Sequence, residues 1–511
     1  MNAYQRLAEP LALAVFVLTL FLPVLVGLAA LSRTRGQSDF FVGGRAMGKL
    51  VVALSAVSSG RSSWLVLGVS GIAYTMGVSA VWAVLGYTFV ELVQFLTIGP
   101  RLRRAADRYD AITLLDYFES RFDDRRHVIR LVGASILAVF MTAYVAAQLN
   151  AGAKTLAGAL DWPFGAGLAV SLAVILAYMV LGGYVAVAYN DVVRAVIMLF
   201  GLIVLPIVAL VGAGGWSAAA SLLRALDPAL LDPAALGLGA FVGFVGIGLG
   251  SPGQPHILVR YMSIDDPLNL RASAAIGTLW NLALGFGAVA VGVIGRALVP
   301  DVAGLPDADP EMIYLVLSAE HFGPLLFGAL VGGVFAAILS TADSQLLVVA
   351  STFVRDLWEQ VARRDAVADE SSRLRLSRVV VVVAGLVAAL LALAAQDLVF
   401  WLVLFAWGGL GAAFGPAVIL SLYWARTTRG GVVAGMLFGA ATAIVWRLWL
   451  REPTGIYELV PAFFGALAII VAVSLAGTRR DPDAAPRRPP PAGSPPPPAR
   501  DPGRRPASAT R

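Results

Sequence analysis

Three short stretches of this 511-residue chain place polar or helix-breaking residues inside otherwise apolar sequence. The first is Ser58-Ser59-Gly60-Arg61-Ser62-Ser63. The second runs from Gly246 to Pro255 through Gly248, Gly250, Ser251, Pro252 and Gly253. The third is Ser340-Thr341-Ala342-Asp343-Ser344-Gln345. Hydroxyls and a carboxylate are hard oxygen ligands, suited to Na⁺ rather than to a soft metal. With the carbonyl of Ala337 one turn back, the third stretch sets several oxygens on one helix face. A membrane-buried hydroxyl ordinarily bonds its own i−4 carbonyl, but the neighbouring carboxylate of Asp343 argues for a functional site. The chain has no cysteine and three histidines. Thiolate metal sites and disulfides are thereby excluded, and no metal other than sodium is expected. No His–Glu metal motif and no nucleophile–base pair stands out, so an enzyme is not expected, nor any cofactor beyond Na⁺ as coupling ion.

The elements that must position these residues are membrane helices. The composition is 59% apolar and only 14% charged, against about 25% charged for a soluble chain. Such a surplus needs lipid as solvent, and irregular backbone facing lipid would leave amides unsatisfied. Apolar runs of bilayer-spanning length predict about thirteen transmembrane helices. They lie near 9–31, 50–76, 79–100, 128–150, 163–182, 187–213, 236–255, 272–298, 322–350, 377–395, 398–424, 431–449 and 455–477. Basic loops follow the first and third spans. Placing them inside puts the N-terminus outside and the C-terminus in the cytoplasm, with only Arg6, Lys154, Arg224, Arg296, Arg447 and Arg451 outside. Arg61 is then the one basic residue inside the membrane. The basic residues do not cluster on a soluble domain, so nucleic acid is not a partner. The Pro- and Arg-rich tail, 479–511, cannot bury a core and is expected to be disordered.

Glycine weakens a helix, and proline removes a donor, so the second and seventh spans should both be broken near the bilayer midplane. Two breaks five spans apart fit inverted repeats, spans 2–6 and 7–11, with substrate and ion held at freed backbone groups. The organisation read from this is a first helix and loop (1–37), a repeat core (38–425), two accessory helices (426–478) and the tail. Residues of the breaks placed to face a solute are Arg61, Ser62 and Trp64, and Ile247, Ser251 and Pro255.

At these residues the chain resembles the sodium:solute symporter family, most of all its sodium/proline symporter branch. The resemblance rests on Asp39-Phe-Phe-Val-Gly-Gly-Arg45, Leu115-Asp-Tyr-Phe-Glu-Ser-Arg-Phe122, Gly182-Gly-Tyr-Val-Ala-Val with Asp191 after it, Gly253-Gln-Pro-His256, Ser340-Thr341, and Phe405-Ala-Trp-Gly-Gly-Leu-Gly-Ala-Ala-Phe-Gly-Pro416. It implies an all-α, leucine-transporter fold with inverted repeats, in the plasma or inner membrane. The activity implied is sodium-coupled symport of an amino acid or a carboxylate by alternating access. It further implies a sodium site made by carbonyls of Ser58, Arg61 and Ala337 with the hydroxyls of Ser340 and Thr341. Asp191 would assist sodium passage on the cytoplasmic side, and in some members a further sodium lies beside the positions of Asp343 and Ser344. The chain departs from the proline branch in four places. That branch has Asp where this chain has Gly60, Met at Arg61, and Trp and Tyr at Ile247 and Ser251.

A guanidinium is always charged, and at a helix centre it costs at least about 2.5–3.5 kcal/mol. Something must offset Arg61. The sequence leaves three possibilities open: an internal pair with Asp343 or Glu91, a solute carboxylate matched by the planar fork, or replacement of the sodium itself. The partners expected are a small-molecule solute, sodium and the lipid bilayer, with the oligomeric state unknown. The competing functions are a transporter-like membrane sensor and a sodium-independent carrier.

Overall fold

The computed structural model describes residues 3–31, 43–179, 184–362, 370–395 and 397–477. The expected disordered tail lies outside the described residues, as do residues 39–42 and 182–183 of the motifs above. Long helices dominate: α1 (Pro10–Leu31), α2 (Lys49–Ser63), α3 (Ser70–Met76), α4 (Val81–Val93), α5 (Gly99–Tyr109), α6 (Leu114–Phe122), α7 (Val128–Leu160), α8 (Phe164–Met179), α9 (Tyr184–Gly212), α10 (Leu238–Gly246), α11 (Pro255–Ser263), α12 (Leu270–Leu298), α13 (Pro324–Ser351), α14 (Glu370–Ala394), α15 (Val399–Tyr423), α16 (Arg429–Val445) and α17 (Leu459–Ala476). Among the described residues, eight helical runs are long and apolar enough to cross a bilayer, and the first, Lys49–Tyr109, covers two expected spans. Shorter apolar helices lie at Pro10–Phe21, Phe164–Leu176, Leu238–Gly253 and Arg378–Ala394.

Large apolar side chains such as Leu18, Phe89, Val211, Leu279 and Trp449 point outward. Lipid solvates them where water would not. The centre is occupied by α2, buried from Val52 to Ser63 and packed among α9, α12 and α13. Small residues let backbones meet there. Cβ atoms added at Gly253 would stand 2.6 Å from Gly411 Cα and from the Leu410 carbonyl oxygen of α15.

Both expected breaks are present. In the first, Ser62 at φ 45°, ψ −165° interrupts the helix, and a π-helical stretch, Trp64–Val69, joins α2 to α3. In the second, α10 gives way to a 3₁₀ stretch, Ile247–Gly253, and Gln254 is extended before Pro255 opens α11. Proline suits that first turn, where its missing N–H would have had no partner. Opened backbone inside a membrane must find side-chain partners, and it does. Gln148 Oε1 of α7 accepts from the Ser63 hydroxyl (2.9 Å) and N–H (3.4 Å), and Ser62 Oγ accepts from Trp64 N–H (3.1 Å). Gln254 Nε2 donates to the carbonyls of Gly250 (3.1 Å) and Trp407 (3.0 Å), and Trp407 Nε1 to that of Ile247 (2.8 Å). These bonds account for two of the motifs, Gly253–His256 and Phe405–Pro416.

Candidate functional site

The third polar stretch lies on α13 directly against the first break. Ser340 Oγ donates to the carbonyls of Ala337 (2.8 Å) and Ser58 (3.3 Å), and Thr341 Oγ1 to that of Ser59 (3.1 Å). Ser59 Oγ lies 3.4 Å from the Ser340 carbonyl. All these groups are sealed from solvent. Two hydroxyls and at least three carbonyls from two elements thus converge, a hard-oxygen set for a small alkali cation. Rotating the hydroxyl protons away frees their lone pairs for such an ion. Ser58, Ala337, Ser340 and Thr341 come together as expected. The Arg61 carbonyl is engaged elsewhere, accepting from Trp64 N–H, and the Ser59 carbonyl meets Thr341 instead.

Arg61 points away from α13. Its Nε donates to Asn281 Oδ1 of α12 (2.8 Å), its Nη2 lies 3.7 Å from Glu91 Oε2 of α4, and Asn281 Nδ2 bonds that same carboxylate. The guanidinium carbon sits over the Tyr87 ring, 3.4 Å from its centroid, a cation–π contact strengthened by desolvation. Of the two internal partners open to Arg61, the structure selects Glu91, not Asp343. Gly60 is required for this arrangement, because a Cβ there would run into the Tyr87 hydroxyl. Around Arg61 the buried Glu91 Oε1 and Trp64 Nε1 lack a hydrogen-bond partner among the described residues, and Arg61 Nη2 has only its 3.7 Å ion pair with Glu91. Buried polar atoms are normally satisfied, so this set marks where a polar solute would fit. Trp64 stacks on Phe400 (5.7 Å between centroids), and Tyr87 lies 5.3 Å from Trp407, supplying an apolar wall. Of the expected solute-facing residues, Ser62 caps Trp64 N–H, and Ile247 offers its carbonyl to Trp407.

Asp343 and Ser344 face a different group of charges. Asp343 Oδ2 pairs with Arg194 Nη1 of α9 (2.9 Å), which is 3.6 Å from Asp191 Oδ1. Asp191 Oδ2 accepts from Ser55 Oγ (2.7 Å) and Ser59 Oγ (3.0 Å) and pairs with Arg260 Nη2 of α11 (3.2 Å). Arg194 and Arg260 are as buried as Arg61, which corrects the expectation that Arg61 is the one basic residue in the membrane interior. The signal for Arg194 was its spacing from Asp191, opposite charges three apart on one apolar helix. Asn281, Tyr87 and Arg260 had no local signal. A cavity of about 60 Å³ reaches this group, lined by Thr113, Tyr184, Pro255, Arg260, Ser344 and Asp356 among others.

At the opposite end, Glu311 accepts from the N–H groups of Val399 (2.8 Å) and Phe400 (2.9 Å) and lies 3.3 Å from Lys154 Nζ. It caps the N-terminus of α15 above the Trp64–Phe400 stack. Burial, opposed by Lys154, pushes its carboxyl up to about 6.

The model of the sodium:solute symporter family matches residues 40–439. Relatives include the osmoregulated proline transporter OpuE of Bacillus subtilis, 36% identical over 469 residues, 91% of this chain and 94% of the relative. The sodium/proline symporter of Escherichia coli is 35% identical over 481 residues, 93% of this chain and 94% of its own. Among solved structures, a substrate-bound, outward-open Na⁺-coupled sialic acid symporter superposes with a TM-score of 0.77 at 17% identity, over 92% of this chain and 98% of that one. MhsT in complex with L-phenylalanine gives 0.54 at 14% identity, over 85% and 99%. At these identities the structural likeness speaks for the fold, which is of the leucine-transporter type.

Proposed function

Because this chain belongs to the sodium:solute symporter family and is a sodium-coupled secondary transporter rather than an enzyme, we propose that its coupling sodium is held where α13 meets the break of α2. The ligands are the hydroxyls of Ser340 and Thr341 and the carbonyls of Ala337, Ser58 and Ser59. The observation that carries this is the approach of both hydroxyls to the freed carbonyls of Ser58 and Ser59, at 3.3 and 3.1 Å. Ion binding there ties α13 to α2, so it can bias the equilibrium between outward- and inward-facing states as coupling requires.

The solute site lies between the breaks, around Arg61, Ser62, Trp64, Ile247, Ser251 and Pro255, with Tyr87, Glu91 and Asn281 added. The named substrate of the relatives above is proline, and a small amino or imino acid is the class proposed here. Its carboxylate meets Arg61 and its amine meets Glu91. Glu91 Oε1, without a hydrogen bond among the described residues, and Arg61 Nη2, held only by a 3.7 Å ion pair, support that placement. An anion without an amine would bring a second carboxylate beside Glu91. Membership of the family does not favour the sensor or the sodium-independent carrier.

The topology proposed has thirteen spans, the N-terminus outside and the C-terminus in the cytoplasm, supported by the basic loops. Residues 38–425 form the transporting core, flanked by segments 1–37, 426–478 and the tail.

The test is uptake of proline and related solutes into proteoliposomes under an inward sodium gradient. Ser340→Ala with Thr341→Ala should raise the sodium needed for half-maximal uptake at least about tenfold, the equivalent of losing roughly 1.4 kcal/mol of ion binding. Solute recognition at saturating sodium should persist. An unchanged sodium requirement would show the ninth expected span to be the wrong place.

A further inference from the structure

The helical run that ends in α5 divides its charges between two faces. On one face Arg103 pairs with Asp107 and donates through Nε to the Ile264 carbonyl (2.7 Å), while Asp107 and Asp110 meet Arg45 at 3.1 and 3.5 Å. On the other, Arg101, Arg104 and Arg108 follow at i, i+3 and i+7 and so form a single stripe. All three are exposed. Among the described residues none of them has a carboxylate within ion-pair distance, because the nearby acids are committed to Arg45 and Arg103.

Between that stripe, α6 and the end of α15 lies a cavity of about 380 Å³, a size found among small-ligand sites. Arg121 of α6 is its fourth guanidinium, and no acidic residue lines it. Its walls are tied together. Tyr117 OH donates to Ser421 Oγ (3.0 Å), Tyr109 packs on Tyr117 (6.0 Å between centroids), and Arg101 lies over the Tyr423 ring (4.3 Å) with its Nη1 3.3 Å from the Tyr423 hydroxyl. Four like charges around one cavity repel, and guanidinium forks match phosphate oxygens.

The cavity also borders the lipid-facing surface. Phe89, Val93 and Leu96, shortly before Arg101 on the same helical run, are exposed apolar side chains. Tyr423 closes the membrane-spanning α15 and Trp424 caps it, and such residues favour the depth of lipid headgroups. A soluble anion would make no use of that apolar approach, whereas acyl chains would. The chain's own tail is no match for the cavity, since residues 479–511 carry eight Arg against three Asp.

We propose that this cavity binds the headgroup of an anionic phospholipid. Arg101, Arg104, Arg108 and Arg121 hold its phosphate, and its acyl chains lie along Phe89, Val93 and Leu96. Basic pockets between membrane helices are suited to such headgroups. The bound lipid would join α5 and α6 to the end of α15. The proposal is independent of the sodium and solute sites.

The experiment is native mass spectrometry of the purified full-length chain in neutral detergent, titrated with phosphatidylglycerol or with phosphatidylcholine of the same acyl chains. A basic side chain at an anionic lipid surface is worth about fivefold in affinity, so the wild type should prefer phosphatidylglycerol by at least about tenfold. Arg101→Gln with Arg104→Gln and Arg108→Gln should abolish that preference. Arg126→Gln with Arg271→Gln and Arg378→Gln removes the same charge from exposed positions outside the cavity and should leave the preference intact. Equal affinity of the wild type for the two lipids would overturn the proposal, as would equal losses in the two triple variants. Displacement of phosphatidylglycerol by an equimolar amount of inorganic phosphate would overturn it too, by assigning the cavity to a soluble anion. If the Arg101, Arg104 and Arg108 triple variant does not fold, Arg104→Gln alone decides. Phosphatidylglycerol binding weakened about fivefold supports the proposal, and unchanged binding overturns it.

Discussion

Replacing Arg61 tests the centre of the proposed solute site directly. Arg61 and Glu91 are both excluded from solvent, 3.7 Å apart, and bridged by Asn281. Arg61→Met keeps the side-chain length against Tyr87 but strands Glu91. Breaking one half of a buried pair typically costs about 3–5 kcal/mol. A second route to the same number is to neutralise the stranded carboxylate. From an ordinary value near 4.3, protonation at pH 7.5 costs about 4 kcal/mol at roughly 1.4 kcal/mol per unit. At pH 5.5 the same step costs about 2 kcal/mol, so the Arg61→Met penalty should roughly halve on acidification. Glu91→Gln leaves a guanidinium that cannot neutralise but keeps Asn281 and the Tyr87 ring, the latter contributing about 2 kcal/mol when desolvated. Its loss should be smaller and independent of pH. The double change strands no charge, so it should be milder than the two single losses added, by at least about 2 kcal/mol. Thermal unfolding in detergent at both pH values, with proline uptake alongside, measures all of this. Additive losses, agreeing within about 0.5 kcal/mol, would refute the pair, and Arg61 would then have to act on the solute alone.

Other consequences follow from close contacts and caps. Gly253→Ala should destabilise by about 1–3 kcal/mol or more, because its Cβ would meet the backbone of Gly411 and Leu410, which cannot yield. Gly430→Ala, whose Cβ would have only Val473 Cγ1 at 3.9 Å, should cost nothing, and equal unfolding temperatures for the two variants would refute the close-packing argument. Gln254→Leu leaves the Gly250 and Trp407 carbonyls without the Gln254 amide and should cost about 1–3 kcal/mol per abandoned group. Wild-type transport retained at wild-type stability would mean that the seventh-span break does not need that amide. Glu311 faces Lys154, which also pairs with Asp309 at 2.7 Å. Because its carboxyl is raised to about 6, the protonated form is favoured in the folded chain. Its contribution is fully present below the ordinary carboxylate value and is lost as pH rises through about 6. The wild type should therefore gain about 2 kcal/mol between pH 7 and pH 4.5 relative to Glu311→Gln, and parallel pH profiles would contradict this.

The sequence by itself determined the class, the two breaks and the position of the hydroxyls proposed to hold sodium. These are properties of single segments. An apolar run of bilayer length can only be a helix, and Gly, Pro and clustered Ser interrupt one wherever they stand, so Ser58–Ser63 and Gly246–Pro255 break without reference to their neighbours. Ser340 and Ala337 likewise share a helix face by spacing alone, three residues apart. What the sequence left open was partnership. Arg61 could pair with Asp343 or Glu91, meet a solute carboxylate, or replace the sodium itself, because a buried charge states only that a partner is needed. The packing of α4 and α12 against the first break assigns Glu91 through Asn281, and Gly60 makes the room that lets Tyr87 lie under the guanidinium. Asp343 goes to Arg194 because α9 packs on α13 in a register that sets those two side chains together. Arg194, which falls within the expected span 187–213 but was not singled out there, is buried for the same reason. Helix periodicity fixes which residues share a face of one helix, but the pairing of charges between helices depends on crossing and register, which no local pattern encodes.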